Sequence, residues 1–285
     1  MKVMRVIPLI FLSCLSLTIF LACTKNPFGG DEISGGNRQI RGQVRFTNGS
    51  TQEDIYIWLE GFDVGTRTDQ GGQFQLTLPP PASQGGQGGL SGAFNLYFYL
   101  ANFKLASVIV GIRNGSFLYS NGEINGKGEL IKLQILYQIL KIRTALGSKT
   151  VFADSNNFLA VEFNLEPQVN SAIIFFPAQV GNWISPVIFR RTATDEVFIF
   201  NSVIAGLAGD DTITLGPDPI KRTVGVSLDR GILPRGEYEI IPYLLVKSEP
   251  VPAALIASLG EGADELGPNY LRMPFHREGD RLRVE

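Results

Sequence analysis

The sequence predicts an all-β protein made of two β-sandwich domains, with one short helix near the C-terminus. Apolar and polar residues alternate with a period of two in both halves of the chain, for example over residues 40–46 and 159–165, and this is typical of strands with one buried face. The 32 Gly, 16 Pro and 19 Phe favour many short strands joined by turns. A length of 285 residues allows two domains.

The predicted organisation along the chain has five parts. Residues 24–39 contain two Gly-Gly pairs and too few apolar side chains to pack, so we expect a flexible tether ahead of the first domain. The five parts are a signal peptide at 1–22, a tether at 23–38, a first sandwich at 39–127, a connector at 128–147 and a second sandwich at 148–285.

The start of the chain predicts export and a lipid anchor. Lys2 and Arg5 precede an apolar run that ends at Ala22, which is the organisation of a secretory signal. Residues 20–23, of sequence FLAC, resemble the lipobox of bacterial lipoproteins. The resemblance implies that Cys23 is lipidated and that the protein is anchored to a membrane of the bacterial cell envelope.

Two details of this resemblance bear on localisation and on the site of lipidation. Thr24 follows the lipidated position where Asp would retain a lipoprotein in the inner membrane, so the resemblance implies the outer membrane, with its periplasmic or surface face left open. The alternatives are an ordinary signal peptide and a second lipidation site at Cys14, which would leave a very short apolar core.

The first domain is predicted from its strand pattern. In residues 55–59 the apolar side chains lie on both faces, with Tyr56 and Trp58 opposite the isoleucines, so we expect this strand to be covered on both sides. The predicted strands are residues 40–46, 55–59, 66–68, 73–78, 94–100, 106–112 and 117–119.

A hairpin in this domain carries a family resemblance. Residues 68–74, of sequence TDQGGQF, followed by LTLP at 76–79, are similar to the hairpin of the carboxypeptidase regulatory-like domain, and the similarity extends over about residues 38–112. The resemblance implies a transthyretin-like β-sandwich that serves as an accessory module and carries no catalytic residues. The Pro- and Gly-rich insertion at 79–89 departs from the family. We weigh a ligand-binding loop against a tolerated surface insertion and favour the insertion.

The second half predicts a further sandwich, Ig-like or similar. Residues 130–142 fit both a strand and a helical stripe, and we interpret them as a long or bulged strand between the domains. A short helix is predicted between Pro252 and Gly260. Further strands are predicted at residues 159–165, 173–176, 187–189, 197–200, 212–215, 223–228 and 238–246.

The residues suited to catalysis are few. His276 is the single histidine and Cys23 is assigned to the lipid, whereas a zinc site of ordinary composition needs several His or Cys ligands. We therefore expect no metal, no cofactor and no enzymatic activity, with His276 at a surface or an interface. The acidic groups lie in turn-like segments without the spacing of a calcium loop; they are Asp210, Asp211, Asp218, Glu261, Asp264 and Glu265.

Three aromatic residues are the candidate ligand contacts. Trp183, Tyr97 and Tyr99 could stack on sugar rings, although aromatic side chains with period two in a sandwich are more often core. The 27 acidic and 25 basic side chains include no long charge run, which argues against a nucleic-acid partner. Arginines 272, 277, 281 and 283 are interpreted as a solvated edge strand.

These observations predict a non-enzymatic, membrane-anchored envelope lipoprotein that acts as a binding or structural module. Its partners would be the membrane, through the lipid, and an envelope protein or glycan. One alternative is a carbohydrate-binding lipoprotein that uses the aromatic side chains. Another is an envelope hydrolase with a carboxylate pair that the spacing does not show.

Overall fold

The computed structural model describes residues 37–85, 88–202 and 211–285. The predicted signal peptide, Cys14, Cys23, nearly all of the predicted tether, Asp210 and residues 86–87 of the insertion lie outside these ranges. In the described residues the regular structure is almost entirely strand, so the all-β prediction is confirmed.

The described part of the chain contains no helix that is both long and apolar enough to cross a membrane. Its one α-helix is α1 (Ala253–Ser258), which confirms the short helix predicted between Pro252 and Gly260. Short 3₁₀ turns lie at Pro81–Ser83 and Pro268–Arg272.

The first half of the chain forms two sheets that face each other. They contain β1 (Gln39–Phe46), β2 (Tyr56–Leu59), β3 (Val64–Arg67), β4 (Gln73–Thr77), β5 (Gly92–Tyr99), β6 (Ala106–Arg113), β7 (Ser116–Phe117) and β8 (Gln134–Leu136). The strand orders are β4-β1-β8 and β3-β2-β5-β6-β7. Alternate residues such as Ile40, Val44 and Phe98 point between the sheets and form the first core.

The second half forms three further sheets. Its strands are β9 (Leu140–Leu146), β10 (Thr150–Val151), β11 (Asn157–Pro167), β12 (Ala172–Phe176), β13 (Ala178–Val180), β14 (Trp183–Ser185), β15 (Val187–Arg191), β16 (Val197–Phe200), β17 (Asp211–Leu215), β18 (Ile220–Leu228), β19 (Gly236–Pro242), β20 (Leu245–Val246), β21 (Arg277–Gly279) and β22 (Arg281–Val284). The strand orders are β13-β14-β18-β11-β9-β21, β10-β22-β19-β15-β16 and β17-β12-β20. Leu159, Val161 and Phe163 on the inner face of β11 belong to the second core.

A third apolar cluster joins the two halves of the chain. Tyr56 and Trp58, on the face of β2 away from the first core, pack in one cluster with Ile188, Ile241 and Tyr270 from the second half. All four residues of β2 are buried, so the prediction that this strand is covered on both sides is confirmed. Residues 37–285 form one compact unit.

Two predicted strands are interrupted in the structure. Residues 130–142 do not form one long strand, because β8 pairs with β1 in the first half while β9 pairs with β11 in the second. The predicted strand at 238–246 divides at Pro242 into β19 and β20, which join different sheets. In both places the chain changes sheet, and a period-two pattern carries no information about such a change.

The arginine-rich C-terminal segment is only partly an edge. β21, with Arg277, is the edge of the six-stranded sheet and runs parallel to β9. β22, with Arg281 and Arg283, lies between β10 and β19. The edge-strand interpretation is therefore wrong for β22, whose arginines alternate with the buried Leu282 and Val284. It is also wrong for Arg272, which lies in the 3₁₀ turn Pro268–Arg272 and not in a strand.

Asn102 is a fully buried hydrogen-bonding centre at the junction of the two halves. Its Nδ2 donates to the carbonyls of Leu140 and His276, both at 2.8 Å. Its Oδ1 accepts the backbone N–H of His276 at 2.9 Å, and its own carbonyl accepts the N–H groups of Ile139 and Leu140. One side chain thus satisfies three backbone groups that would otherwise be buried without partners.

His276 lies at the same junction, as the interface interpretation predicts. Its ring packs edge-on against Phe46 and Phe103, and Nδ1 contacts the Gln52 side chain. Burial lowers the pKa of His276, and the Glu278 carboxylate, 3.6 Å from Nε2, opposes this without cancelling it.

Replacing Asn102 tests the junction. We expect Asn102→Ala to lower the free energy of unfolding by about 2–4 kcal/mol, because it leaves buried carbonyl and N–H groups unpaired. The measurement is urea unfolding of the purified protein. The exposed Asn121 provides the control, since its side chain makes no hydrogen bond in the described structure; equal stability of Asn102→Ala and Asn121→Ala would contradict this role.

The histidine predicts a pH dependence. Because the folded state lowers the pKa of His276, the unfolded chain binds a proton at higher pH than the folded chain does. Stability is therefore fully present above the unfolded pKa, near about 6.5, and decreases as the pH falls from there towards the folded value. We expect His276→Gln to remove the decrease in urea midpoint between about pH 7.5 and pH 5.5.

An ion-paired carboxylate also makes the stability of the protein depend on pH. Its contribution likewise decreases as the pH falls, but over a lower pH range than that of His276. The Lys149 ammonium holds the pKa of Asp280 below its ordinary value, so that this contribution is lost only in the acidic range of carboxyl groups. A decrease in stability at acidic pH is thus expected in both wild type and His276→Gln. A wild-type decrease between pH 7.5 and 5.5 that persists in the variant would refute the assignment to His276.

Candidate ligand-binding groove

A groove lies where the first sandwich meets the second. Its volume is about 450 Å³, within the range of sites that bind small ligands. Its wall is mainly apolar, with Ala101, Leu245, Val251, Ile256 and Met273 among its lining residues. Such a wall removes water from a bound ligand, so that a few polar groups determine its orientation.

The elements around the groove are fixed by buried contacts. Ala101 follows β5, Leu245 begins β20, and Ile256 belongs to α1. The hydroxyl of the buried Tyr270 donates to the carbonyl of Leu244 at 2.7 Å and accepts its N–H at 3.4 Å. These bonds hold Leu244 in the short link between β19 and β20, immediately before the groove residue Leu245.

Tyr99 is the predicted ligand residue that the structure places in this groove. Only 5% of its surface is exposed, and it lines the groove. Its hydroxyl makes no hydrogen bond to any residue in the described ranges. Burial raises the pKa of Tyr99, and charge on Tyr270 or Asp264 raises it further. The hydroxyl therefore stays protonated and is open to the groove as a donor without an acceptor among the described residues.

Charged groups of both signs also line the groove. The Lys247 ammonium lies 4.5 Å from the centre of the Phe175 ring. Glu249 lines the groove and accepts the N–H of Leu105 through Oε2 at 3.2 Å, and the exposed Asp264 lines the same groove. A ligand with an apolar body and both hydrogen-bond donors and acceptors matches this lining.

The two carboxylates bear on the hydrolase alternative. Glu249 and Asp264 line one groove, but Glu249 is engaged with backbone and Asp264 is open to solvent. Both carboxylate groups can accept hydrogen bonds from a ligand in the groove.

Tyr97 and Trp183 lie elsewhere. The Tyr97 ring stacks on Trp58 with the ring centres 5.9 Å apart and is half-buried beside the third cluster, as the core interpretation of the aromatic residues expects. Trp183 is in β14, on the outer face of the six-stranded sheet. The structure therefore does not bring the three predicted residues into one site.

Several residues of the groove and of the outer face of the six-stranded sheet were not predicted from the sequence. Lys247 and Glu249 follow a strand in a polar segment, where nothing in the pattern indicates a groove. The sequence does contain an indication for Phe158. In the alternating pattern in which Leu159 and Val161 face the core, Phe158 is a large apolar residue at a position that faces solvent. A large apolar side chain out of phase in a strand indicates a surface contact.

Metal ligands do not cluster in the described residues. Across 37–85, 88–202 and 211–285, no three side chains of His, Cys, Asp or Glu converge as they would to hold a metal ion. The single histidine contacts Gln52 and Glu278, not a set of ligands.

Comparisons with known proteins identify no family. No family model matches the chain, and no curated protein matches it. Among solved structures the chain is similar to the Bacillus anthracis TIE protein, with 6% sequence identity and a TM-score of 0.23 over 87% of this chain. The match spans 50% of that protein's chain.

Two matched tyrosine variants test the unpartnered hydroxyl. Tyr270→Phe removes a hydroxyl that satisfies Leu244, so we expect a loss of about 1–3 kcal/mol in the free energy of unfolding. Tyr99→Phe removes a hydroxyl without a partner, so its stability should stay within about 0.5 kcal/mol of wild type. Urea unfolding measures both. A large loss in Tyr99→Phe would show that the hydroxyl has a structural partner.

Proposed function

We propose that this chain is an outer-membrane lipoprotein of the bacterial envelope, anchored through lipid on Cys23, that binds a ligand or partner without catalysing a reaction. The observation that carries the binding role is the Tyr99 hydroxyl, which lines an apolar groove and has no acceptor among the described residues. A ligand with an acceptor at that point can receive this donor in an apolar setting from which it excludes water, where a hydrogen bond is stronger than in water.

The anchor is proposed from the sequence of the first 24 residues. Lys2, the apolar run and Cys23 occur in the order of a lipoprotein signal. The likeness of residues 38–112 to the carboxypeptidase regulatory-like domain supports an accessory role, since modules of that family carry no catalytic residues. An envelope protein or a glycan is the proposed partner class.

The groove residues have separate roles in this proposal. Leu245, Val251 and Met273 supply apolar surface, which contributes roughly 25 cal/mol per Å² of ligand area buried. Tyr99 donates a hydrogen bond to the ligand, and Glu249 and Lys247 supply a charged acceptor and a charged donor that fix its orientation. Groups of both charges favour a ligand that carries donors and acceptors over a purely apolar one.

The first arm of the experiment tests the anchor. Cells that express the tagged full chain are grown with an alkyne analogue of palmitate, and the label on the purified protein is measured. We expect label on wild type and on Cys14→Ser but not on Cys23→Ser, because acylation requires the Cys23 thiol. Label that persists in Cys23→Ser would remove the proposed anchor.

The second arm uses the same membranes to test the groove. Chemical crosslinking and co-purification compare wild type with Val251→Trp, which fills the groove, and with Ile109→Trp, which enlarges an exposed side chain on β6. We expect a partner band that Val251→Trp loses and Ile109→Trp keeps. Identical recovery from both variants would assign binding to another surface.

A further inference from the structure

A second surface with different chemistry lies on the outer face of the six-stranded sheet. Three apolar side chains are exposed there: Phe158 by 63%, Val180 by 47% and Trp183 by 39%. They belong to β11, β13 and β14. Val180 is paired with Trp183, and Trp183 lies beside Thr223 of β18, which is the strand next to β11.

Gly225 explains how the two rings lie. It is on the outer face of β18, paired with Ala160, and yet it is buried. A Cβ atom at Gly225 would be 2.9 Å from Cζ of Phe158 and 3.0 Å from Cζ3 of Trp183. Both rings therefore lean over Gly225 from neighbouring strands, and a side chain at this position would displace them. We call Phe158, Trp183 and Gly225 the aromatic platform.

The groups around the platform are polar and balanced in charge. Ser227 is paired with Phe158, and Thr223 is paired with Glu162. The Glu162 carboxylate is 2.9 Å from the ammonium of Lys221, so these two charges neutralise each other. A surface of this kind offers no net charge to attract an anionic lipid or a charged peptide, but it offers donors and acceptors for hydroxyl groups.

The size of the platform argues against a second copy of the chain as its occupant. A stable dimer buries about 800 Å² on each partner, whereas the exposed apolar part here consists of three side chains. Two neighbouring rings match an object a few ångströms across with an apolar face and polar edges. A sugar ring has this form, since its C–H groups pack on aromatic faces and its hydroxyls project sideways.

We propose that the aromatic platform binds a neutral pyranose of a polysaccharide, with the sugar stacked on Phe158 and Trp183 and its hydroxyls bonded to Ser227, Thr223 and Glu162. This site is distinct from the groove and rests on the proposed function only in that the chain is a binding protein. It allows the protein to hold a polysaccharide on one face while a partner occupies the groove.

The test measures retention of the purified full chain on two insoluble neutral polysaccharides, cellulose and chitin, by depletion from the supernatant. We expect retention on at least one polymer. Trp183→Ala and Phe158→Ala should each weaken binding about tenfold, or about 1.4 kcal/mol, because each removes one of the two rings on which the sugar stacks. Because the contact is uncharged, retention should change little between about 0.05 and 0.5 M salt.

Matched variants separate the geometry of the platform from general damage. Gly225→Val keeps both rings but displaces them, and should weaken retention several-fold. Gly216→Val should leave retention unchanged, because nothing lies within 4 Å of a Cβ there; Ile131→Ala, at another exposed apolar residue, should do the same.

Three outcomes overturn the proposal: no retention on either polymer, equal retention of wild type and both ring variants, or loss of retention in Tyr99→Phe with Trp183→Ala unaffected. The third would move sugar binding to the groove. Palmitate labelling and the crosslinking with Val251→Trp use other residues and probes, so failure of the proposed function is scored separately from failure of the platform.

Discussion

The hydrogen bonds of Asn102 are the constraint on which the relation of the two sandwiches depends. The side chain follows β5 of the first sandwich and binds backbone groups at the start of β9 and at His276, both in the second half of the chain. Because these groups are buried, no water replaces the amide. The direction of these hydrogen bonds is as important as their strength. The two donors and one acceptor of the Asn102 amide fix how the bonded segments lie against each other.

The groove follows from this arrangement. Tyr56 and Trp58 meet Ile188 and Ile241 over the outer face of β2, and next to this packed region the chain after β20 and helix α1 leave space that contains Tyr99. A site between two sheets that belong to one compact unit is preorganised, so less ordering is needed on binding. The aromatic platform depends on a different and more local condition. Glycine has no Cβ atom, and this leaves room for both rings over Gly225.

The sequence predicts the strand content well because alternation records which face of each strand is buried, and it even predicts that β2 is covered twice. It does not predict where the chain leaves one sheet for another, as at residues 137–139 and at Pro242, since both sides of the break remain apolar. Of the predicted ligand residues, Tyr99 lies in the groove, Tyr97 packs on Trp58, and Trp183 shares its surface with Phe158. Where these three side chains lie depends on contacts with residues that are distant in sequence. The spacing of residues along the chain does not reveal such contacts.

The third cluster also has a consequence for the order of folding. Tyr56 bonds Ser258 across 202 positions, and the Gln52 side chain contacts His276 across 224. Contacts of such separation form late and slow the folding rate. Until the last segments arrive, the outer face of β2 presents a tyrosine and a tryptophan to water beside strands that are already paired. A nascent chain in that state exposes an apolar sheet face that favours aggregation, and this face is a surface to which a chaperone would bind.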